Sequence, residues 1–509
     1  MPPAPPPPSD LRQLLKGVQG AGAVVHVADR SRADGRKVAV IGAGPAGITA
    51  AYELSKNGAA VDVYEAGPEP GGLAKTIDLW DQRVDLGPHR FFSTDARVNR
   101  LWLEVVGQDY EMIDRLTRIF YKNRFFYYPL RPANALLSLG PVESLRCVAS
   151  YVRQKASPAP AGETFEGWVV RSFGRRLFEI FFKTYSEKLW GIPCSELDSD
   201  FAAQRIKKLS LYEAIKNAFW KDRGNRHKTL VDRFAYPNNG TGVVYERMAA
   251  RIRDGGNQVF YRSPVKRVVT ADGSVIGLEL TDGSFRRYER VVSTMPLTLL
   301  VERLPDVPRH IRDHAGQLRF RNTILVYLRV ESEDLFPDNW LYVHSAELQT
   351  GRVTNFRNWS RGIRRGAAAT ILSLEYWCGD GDQLWTREDR DLIALAKREI
   401  QSTGLTGAAP ITAGHVHRIP RCYPVYRQGY KEHLKPVERY LSTIGGLSVI
   451  GRYGAFKYNN QDHSILMGIL AARNILTESA EDLWAINTDY ENYQEAGVIT
   501  EEGLVAVGG

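Results

Sequence analysis

The first regular signal in the chain is a change of hydrophobic period close to its start. Lys37 opens a continuous apolar run, KVAVIG, which reads as a buried parallel strand. The following ITAAYELSKNG has helical spacing of its apolar positions, and AVDVYE is a second strand. Residues 97–220 are rich in aromatic and basic residues and read as mainly helical, with helices expected over 133–139, 141–154, 164–173 and 177–189. From 228 to 300 the pattern returns to short strands, with Asp-Gly turns at 272–273 and 282–283. TILVYLRV, WLYVH and ATILSLEYW alternate in the manner of a second, antiparallel sheet, suited to flooring a substrate cavity. An amphipathic helix is expected over 386–402, then a strand in GLSVIGRYG and a helix in DHSILMGILAARNIL. There is no internal repeat.

The turn between the first strand and helix carries the first chemistry. It reads Gly42-Ala43-Gly44-Pro45-Ala46-Gly47, and the second strand ends in Glu65, 18 residues after Gly47. Gly42 permits the tight turn, Gly44 lets backbone approach a pyrophosphate, and Gly47 lets helix and strand pack closely. An acid at Glu65 is placed to receive ribose hydroxyls. Strand, glycine turn, helix, strand and acid together predict a dinucleotide site. Gly71-Gly72-Leu73 then resembles the second glycine motif of FAD enzymes in the glutathione-reductase-like superfamily, which implies resident FAD. At the far end, Gly451-Arg452-Tyr453-Gly454 and the run Asn460, Gln461, Asp462, His463, Ser464 open a helix whose N-terminus is expected beside the flavin. Read structurally, Asp462 or Ser464 is simply a helix cap, and both roles can share one helix end.

These elements predict an α/β fold with a Rossmann-like FAD-binding domain, an inserted helical domain and an antiparallel-sheet substrate domain. The FAD-binding domain is discontinuous, over 37–96, 228–300 and 440–480. The helical insertion is expected over 97–227, the sheet-rich substrate domain over 301–439, and a C-terminal helix and tail over 481–509. The opening MPPAPPPPSD cannot join a helix or sheet, so 1–36 is expected to be a flexible extension with one short helix over 11–18.

Composition narrows the function classes. Apolar residues make up 43% and charged residues 25%, a globular balance. The cysteines Cys147, Cys194, Cys378 and Cys422 are far apart, which argues against a disulfide scaffold or a cysteine zinc site and for a reducing, cytoplasmic setting. No apolar run reaches the roughly 18–20 residues of a membrane span, and the start lacks the features of a signal peptide. The net charge of +9 suits an anionic ligand but is not massed in a tail, so nucleic acid is not expected. Hydrolases are disfavoured, since there is no Gly-x-Ser-x-Gly elbow and no His-Glu-x-x-His. His415 and His417 have strand spacing and are read as surface residues, and no metal site is expected.

From about Lys37 to Leu476 the chain resembles the UDP-galactopyranose mutases, particularly the eukaryotic type, within the superfamily that includes protoporphyrinogen-oxidase-like and amine-oxidase-like flavoproteins. Gly87-Pro88-His89-Arg90-Phe91-Phe92 is similar to the family's Gly-x-His loop beside the isoalloxazine. Tyr185-Ser186-Glu187-Lys188-Leu189-Trp190, with Arg205 downstream, resembles a Tyr-x-x-Lys-x-Trp block that ends in a substrate-binding arginine. Trp340-Leu341-Tyr342, the stretch from Arg352 through Asn358 to Ser360, Tyr423-Pro424, and the closing block through Tyr458 match further family segments.

The resemblance implies a mutase that interconverts pyranose and furanose forms of a nucleotide-diphosphate sugar. Reduced flavin N5 attacks the anomeric carbon, with no net redox and with NADPH or NADH as reductant. It implies catalytic roles for His89, Arg205 and Arg352, and substrate contacts from Tyr185, Trp190, Trp340, Tyr342, Asn358, Tyr423 and Tyr458. The implied cofactor contacts are Gly42, Gly44, Pro45, Ala46, Gly47, Glu65, Gly71, Gly72, Leu73, Gly87, Arg452, Asn460, Gln461, Asp462 and Ser464. The arginines and tyrosines would form a cationic, hydroxyl-rich cradle for a diphosphate. The base pocket departs from the family: Leu130 and Arg131 stand where it has an aromatic residue and an amide, and Ser186 replaces an asparagine. The nucleotide and sugar are therefore left open. A homo-oligomer is a further expectation. Other classes are an FAD-dependent oxidase or dehydrogenase, which predicts an apolar pocket without paired arginines, and a binding protein with vestigial FAD.

Overall fold

The computed structural model describes residues 37–128, 130, 135, 138–156, 164–199 and 233–486, and the backbone of 498–500 and 503–505. The expectations for 1–36, for most of the 133–139 helix and for Arg131 and Arg205 lie outside these residues.

The centre of the cofactor-side layer is a five-stranded parallel sheet in the order Leu447–Val449, Arg290–Ser293, Lys37–Ile41, Ala60–Tyr64, Gln258–Phe260. Val38, Ala39 and Val40 of the middle strand are fully buried, as a strand covered on both faces requires. VVSTMP rejoins this sheet as expected, Val291 pairing with Ala39. The helix Pro45–Lys56 covers one face and packs against the long closing helix Gln461–Thr477. A Cβ on Gly468 would lie 2.5 Å from the Ala46 carbonyl oxygen, so glycine there permits the close helix crossing. A three-stranded antiparallel sheet hangs from this layer, its first hairpin turning at Asp272-Gly273 with both residues at positive φ, the geometry of a type I′ turn.

The second layer is a seven-stranded mixed sheet in the order Ile411–Pro424, Phe320–Val330, Thr370–Cys378, Arg352–Asn355, Trp340–Val343, Thr117–Tyr121, Arg124–Tyr127. Its last two strands correct the helical reading of 97–127, because that stretch holds one helix, Ala96–Val106, and three strands. The turn Lys122-Asn123, both at positive φ, closes the hairpin between the two edge strands. The short alternation in TRIFY and RFFY was masked by their aromatic and basic content. Strand Tyr110–Asp114 pairs instead with Arg233–Pro237.

One more difference concerns a helix. Val243–Asp254, absent from the β reading of 228–300, buries Val244, Tyr245, Met248 and Ile252. Among the described residues of 481–509 the regular structure is a two-stranded hairpin, Val498–Thr500 with Gly503–Val505, and the helix expected there falls mostly on residues outside those described. The helices Pro141–Ala156 and Phe165–Phe173 match expectation within two residues, the latter capped by Thr164, whose hydroxyl accepts from the Gly167 amide at 3.2 Å. The expected 177–189 helix runs from Arg175 to Trp190 and contains a π-helical turn, Glu179–Lys183. Among the described residues no helix is long and apolar enough to cross a membrane.

Candidate active site

The glycine turn forms a cradle built mostly of backbone. The Gly42 amide donates to the Tyr64 carbonyl at 2.8 Å, which ties the turn to the second strand. Gly42 has φ +94°, and a Cβ there would stand 2.1 Å from the Thr294 hydroxyl; one on Gly47 would stand 2.1 Å from the Gly42 carbonyl oxygen. The two glycine motifs touch, since a Cβ on Gly72 would lie 3.0 Å from the Gly44 Cα, and the Gly71 amide donates to the Ala43 carbonyl at 2.8 Å. Gly72, Leu73 and Ala74 make one 3₁₀ turn against that contact. The helix from Pro45 starts at Gly44 with no side-chain cap, so its first-turn amides and dipole face the cradle. Glu65 accepts from the Ala43 and Gly67 amides, both at 2.7 Å, which fixes its carboxylate at the end of the second strand. Space kept by glycine and an uncapped helix N-terminus fit an FAD pyrophosphate, with Glu65 placed for the ribose.

The closing helix approaches the same place. Gly451 lies against Ala46, where a Cβ would be 3.1 Å from the alanine Cβ. Asn460 caps the helix in a capping box with His463, and the Ser464 amide donates to the Asn460 carbonyl. Asp462 is buried beside His463, at 3.3 Å. The Gln461 amide oxygen accepts from Tyr245 at 2.6 Å and Thr241 at 3.1 Å, and its nitrogen donates to the carbonyls of His89 and Arg90, both at 3.4 Å. Gln461 thus holds the histidine loop.

Across the second sheet, strand register sets Tyr342 opposite Arg352 and Arg352 opposite Glu375. These three residues form one row on one face. Arg352 grips Glu375 with two hydrogen bonds, Nε to Oε1 at 2.7 Å and Nη2 to Oε2 at 2.5 Å, and Nη2 reaches the Tyr423 hydroxyl at 3.4 Å. Burial pulls the guanidinium down, but the charge of Glu375 overcomes it and Arg352 stays protonated. Tyr185 stands edge-on to Tyr342 and to Trp377, and burial lifts its hydroxyl well above the usual tyrosine range. Tyr423 and Tyr458 stack at 5.5 Å, and the Arg452 guanidinium lies over both rings, 4.7 and 4.4 Å from their centres. Trp190 packs edge-on to the same two tyrosines.

His89 joins the two regions. It follows Gly87, where a Cβ would lie 3.6 Å from the imidazole and 3.7 Å from Glu375 Oε1. Its Nδ1 is buried without a hydrogen-bond partner among the described residues. Burial first, and then the charges of Arg352 and Arg452, push its pKa down to about 3, so the ring is neutral at physiological pH. A neutral imidazole with an unsatisfied nitrogen at the junction of cradle and cluster suits a flavin-side position.

The cluster therefore gathers Tyr185, Trp190, Tyr342, Arg352, Tyr423 and Tyr458, with His89 and Arg452. Three expected contacts also have partners within the protein. Asn358 donates its amide to the carbonyls of Phe336 and Asp338, at 2.8 and 2.9 Å, and so braces a loop. Trp340 is buried, packing with Phe234 and Trp359. Arg452 donates to the carbonyls of Cys422 and Asn459, both at 2.9 Å, and acts on the tyrosine side of the cluster.

Sequence reasoning missed Glu375, Trp377 and His344. The signal for Glu375 was present: it is the single acid in Thr370–Cys378, a strand buried at every position, and a buried carboxylate requires a partner. His344 stacks on Tyr185 at 5.0 Å, and burial pushes its pKa down to about 3. Lys188 donates to the carbonyls of Ser345, Val343 and Thr350, and burial lowers its pKa to about 8. It binds the helix bearing Tyr185 to the loop that leads into Arg352.

Comparison with known proteins bears on the fold and the family. The fold matches a crystal structure of reduced UDP-galactopyranose mutase with TM-score 0.78 at 22% identity, covering 91% of this chain and 98% of that one. In sequence, the chain is 20% identical over 479 residues to coproporphyrinogen III oxidase of Staphylococcus aureus, covering 87% of this chain and 99% of the relative. It is 28% identical over 181 residues to a protein of Klebsiella pneumoniae described as a probable UDP-galactopyranose mutase, covering 32% of this chain and 43% of the relative. The family model for flavin containing amine oxidoreductases matches residues 45–476, which takes in the histidine loop, the cluster and the cradle from Pro45 onward, and the chain belongs to that family.

Proposed function

We propose that this FAD enzyme is a nucleotide-sugar mutase that interconverts pyranose and furanose forms of a nucleotide-diphosphate sugar. The observation that carries the reading is the cluster itself: Arg352 and four tyrosines, Tyr185, Tyr342, Tyr423 and Tyr458, stand together beside His89. Such a set suits an anionic, oxygen-rich ligand better than an amine or an apolar one. Bound FAD, in its reduced form, supplies the nucleophile toward the anomeric carbon, and NADPH or NADH is the reductant. The chain's part is to hold the sugar and leaving group in place. Arg352, kept charged by Glu375, stabilises the departing diphosphate and retains it for return. The tyrosine hydroxyls add hydrogen bonds, and the aromatic walls exclude water from the reacting carbon. Glycine at Gly87 and the neutral His89 add no charge of their own on the flavin side.

An oxidase is the second reading. It is favoured by the bidentate bond to Glu375, which already balances the Arg352 charge before any ligand arrives, and by similarity to a coproporphyrinogen oxidase over 87% of the chain. Binding separates the two. Quenching of the site tryptophans Trp190 and Trp377 by UDP, GDP and dTDP, titrated into oxidised and reduced holoenzyme, is expected to saturate at micromolar to millimolar concentration with at least one of them. Arg352→Lys should weaken that binding about tenfold or more. No saturation with any nucleotide in either redox state would count against the mutase.

A further inference from the structure

The loop that carries His89 is held from both ends by one buried polar network, and a carboxyl lies at its centre. Asp85 ends the strand Gln82–Asp85, two residues before Gly87, and is fully buried. Its Oδ1 accepts from the Thr76 hydroxyl at 2.6 Å and the Thr241 amide at 3.2 Å; its Oδ2 accepts from the Tyr236 hydroxyl at 2.8 Å. The Tyr327 hydroxyl donates to the Asp85 carbonyl at 2.8 Å. Thr241 then passes the network on. Its hydroxyl donates to Gln461, and Gln461 donates to the carbonyls of His89 and Arg90. The chain leading into the histidine loop and the chain leaving it therefore meet at Asp85.

This position holds a carboxyl with no ion-pair partner among the described residues. Arg83, on the same strand, pairs instead with Glu246 at 2.8 Å and with Asp78 at 4.0 Å. Burial is the main reason the Asp85 pKa is pushed up to about 7, against the pull of its hydrogen bonds to Thr76, Tyr236 and Thr241 and of the nearby Arg83 charge. The other ionisable groups facing it are Tyr236, Tyr245 and Tyr327, on separate elements, all lifted well above the usual tyrosine range by burial. Asp462 acts on Tyr245, and Glu375 acts on Tyr327. A scaffold hinge alone is served as well by an uncharged amide; a carboxyl that can gain or lose a proton also changes how strongly its three donors are held.

We propose that Asp85 is a positioning residue for the flavin site: its ionisation sets the hold on the His89 loop and, through that loop, the environment of the bound flavin. The inference rests on the FAD assignment and not on the mutase reading, and it applies equally to an oxidase. In this proposal Asp85 acts through the loop and not by contact with cofactor or substrate.

Asp85→Asn is a clean probe because the amide keeps the Oδ1 bonds to Thr76 and Thr241 and alters only the Tyr236 side. The measurement is the midpoint potential and visible spectrum of the bound flavin in the purified holoenzyme at about pH 6 and about pH 8, on either side of the Asp85 titration. Between these values the wild type is expected to show an additional pH-dependent shift that Asp85→Asn lacks. The same comparison in a His89→Ala background is expected to show a smaller difference, because the imidazole is lost while the loop carbonyls held by Gln461 remain. Identical pH dependence in wild type and Asp85→Asn, or an equal difference in both backgrounds, would overturn the proposal. Should Asp85→Asn fail to fold, Thr241→Val removes the hydroxyl link to Gln461 and keeps the amide bond to Asp85. It is expected to blunt the pH-dependent shift, and a wild-type response would equally overturn the proposal. A wild-type protein that purifies without flavin, and cannot be loaded with it, would overturn the cofactor assignment and this inference together.

Discussion

The cofactor cradle and the substrate-side cluster meet at His89 but are built in opposite ways. The cradle uses backbone: glycines that keep space, an uncapped helix start and a carboxylate held by two amides, all within Gly42–Gly72. The cluster uses long side chains from separate strands and helices, brought together by sheet register, as in the row Tyr342, Arg352, Glu375. A backbone site tolerates almost no added atoms. A side-chain site tolerates changes of shape but is sensitive to the loss of a partner that balances charge.

The largest expected effect tests that balance. Glu375→Leu leaves the Arg352 guanidinium buried without its partner and should cost about 3–5 kcal/mol in urea unfolding. A cost below about 1 kcal/mol would mean that the pair is solvated and that the cluster is not organised by it. On the cradle side, Gly42→Ala places a methyl against Thr294 at a positive φ. It should lose about 1–3 kcal/mol and most of the co-purifying flavin, read from the ratio of visible to ultraviolet absorbance. Retained flavin would show that the cradle is looser than its contacts imply. Asn358→Ala should cost about 1–2 kcal/mol through its two carbonyl partners and leave nucleotide affinity unchanged. Tyr458→Phe should do the reverse, weakening nucleotide binding by about fivefold to tenfold, near 1 kcal/mol, at unchanged thermal stability. Exchanged outcomes for this pair would invert the assignment of scaffold and site.

The smallest effect is on pH dependence. The folded-state pKa of His89 is pushed down to about 3, so below the unfolded value the unfolded chain binds a proton that the native state refuses. Stability should therefore fall as pH falls from about 6.5 toward 3, and His89→Ala should remove up to roughly 1 kcal/mol of that fall between pH 6.5 and 5. Urea midpoints for both proteins across that range would reveal it. Parallel curves would place the histidine in water.

The same contrast explains what was legible in the sequence. Gly42, Gly44, Gly47, Glu65, Gly71 and Gly72 announce the cradle because a backbone site is encoded by contiguous residues with fixed spacing. The parallel sheet around it followed from apolar runs, and the Asp272-Gly273 hairpin from its turn residues. Arg352 and the tyrosines came only through family resemblance, because no local rule connects positions 185, 342, 352, 423 and 458. Glu375 was missed because its partner is a register neighbour, invisible until the strands are paired. Asn358 was assigned to substrate through the same resemblance, and its bonds to the Phe336 and Asp338 carbonyls were not legible because no sequence pattern announces them. The edge strands over 117–127 were misread because aromatic and basic content obscured a short alternation, and their place beside Trp340–Val343 depends on a parallel pairing across more than two hundred residues.

The central claim is that the cluster around Arg352 serves a nucleotide sugar. Its most direct test is anaerobic: holoenzyme, oxidised or reduced with dithionite, is incubated with UDP-, GDP- and dTDP-linked pyranoses, and the products are separated by chromatography. The account predicts furanose product from at least one sugar, in the reduced enzyme only, with no net consumption of reductant per turnover. No isomerisation of any sugar, together with oxygen-dependent turnover of an amine or a porphyrinogen, would contradict it.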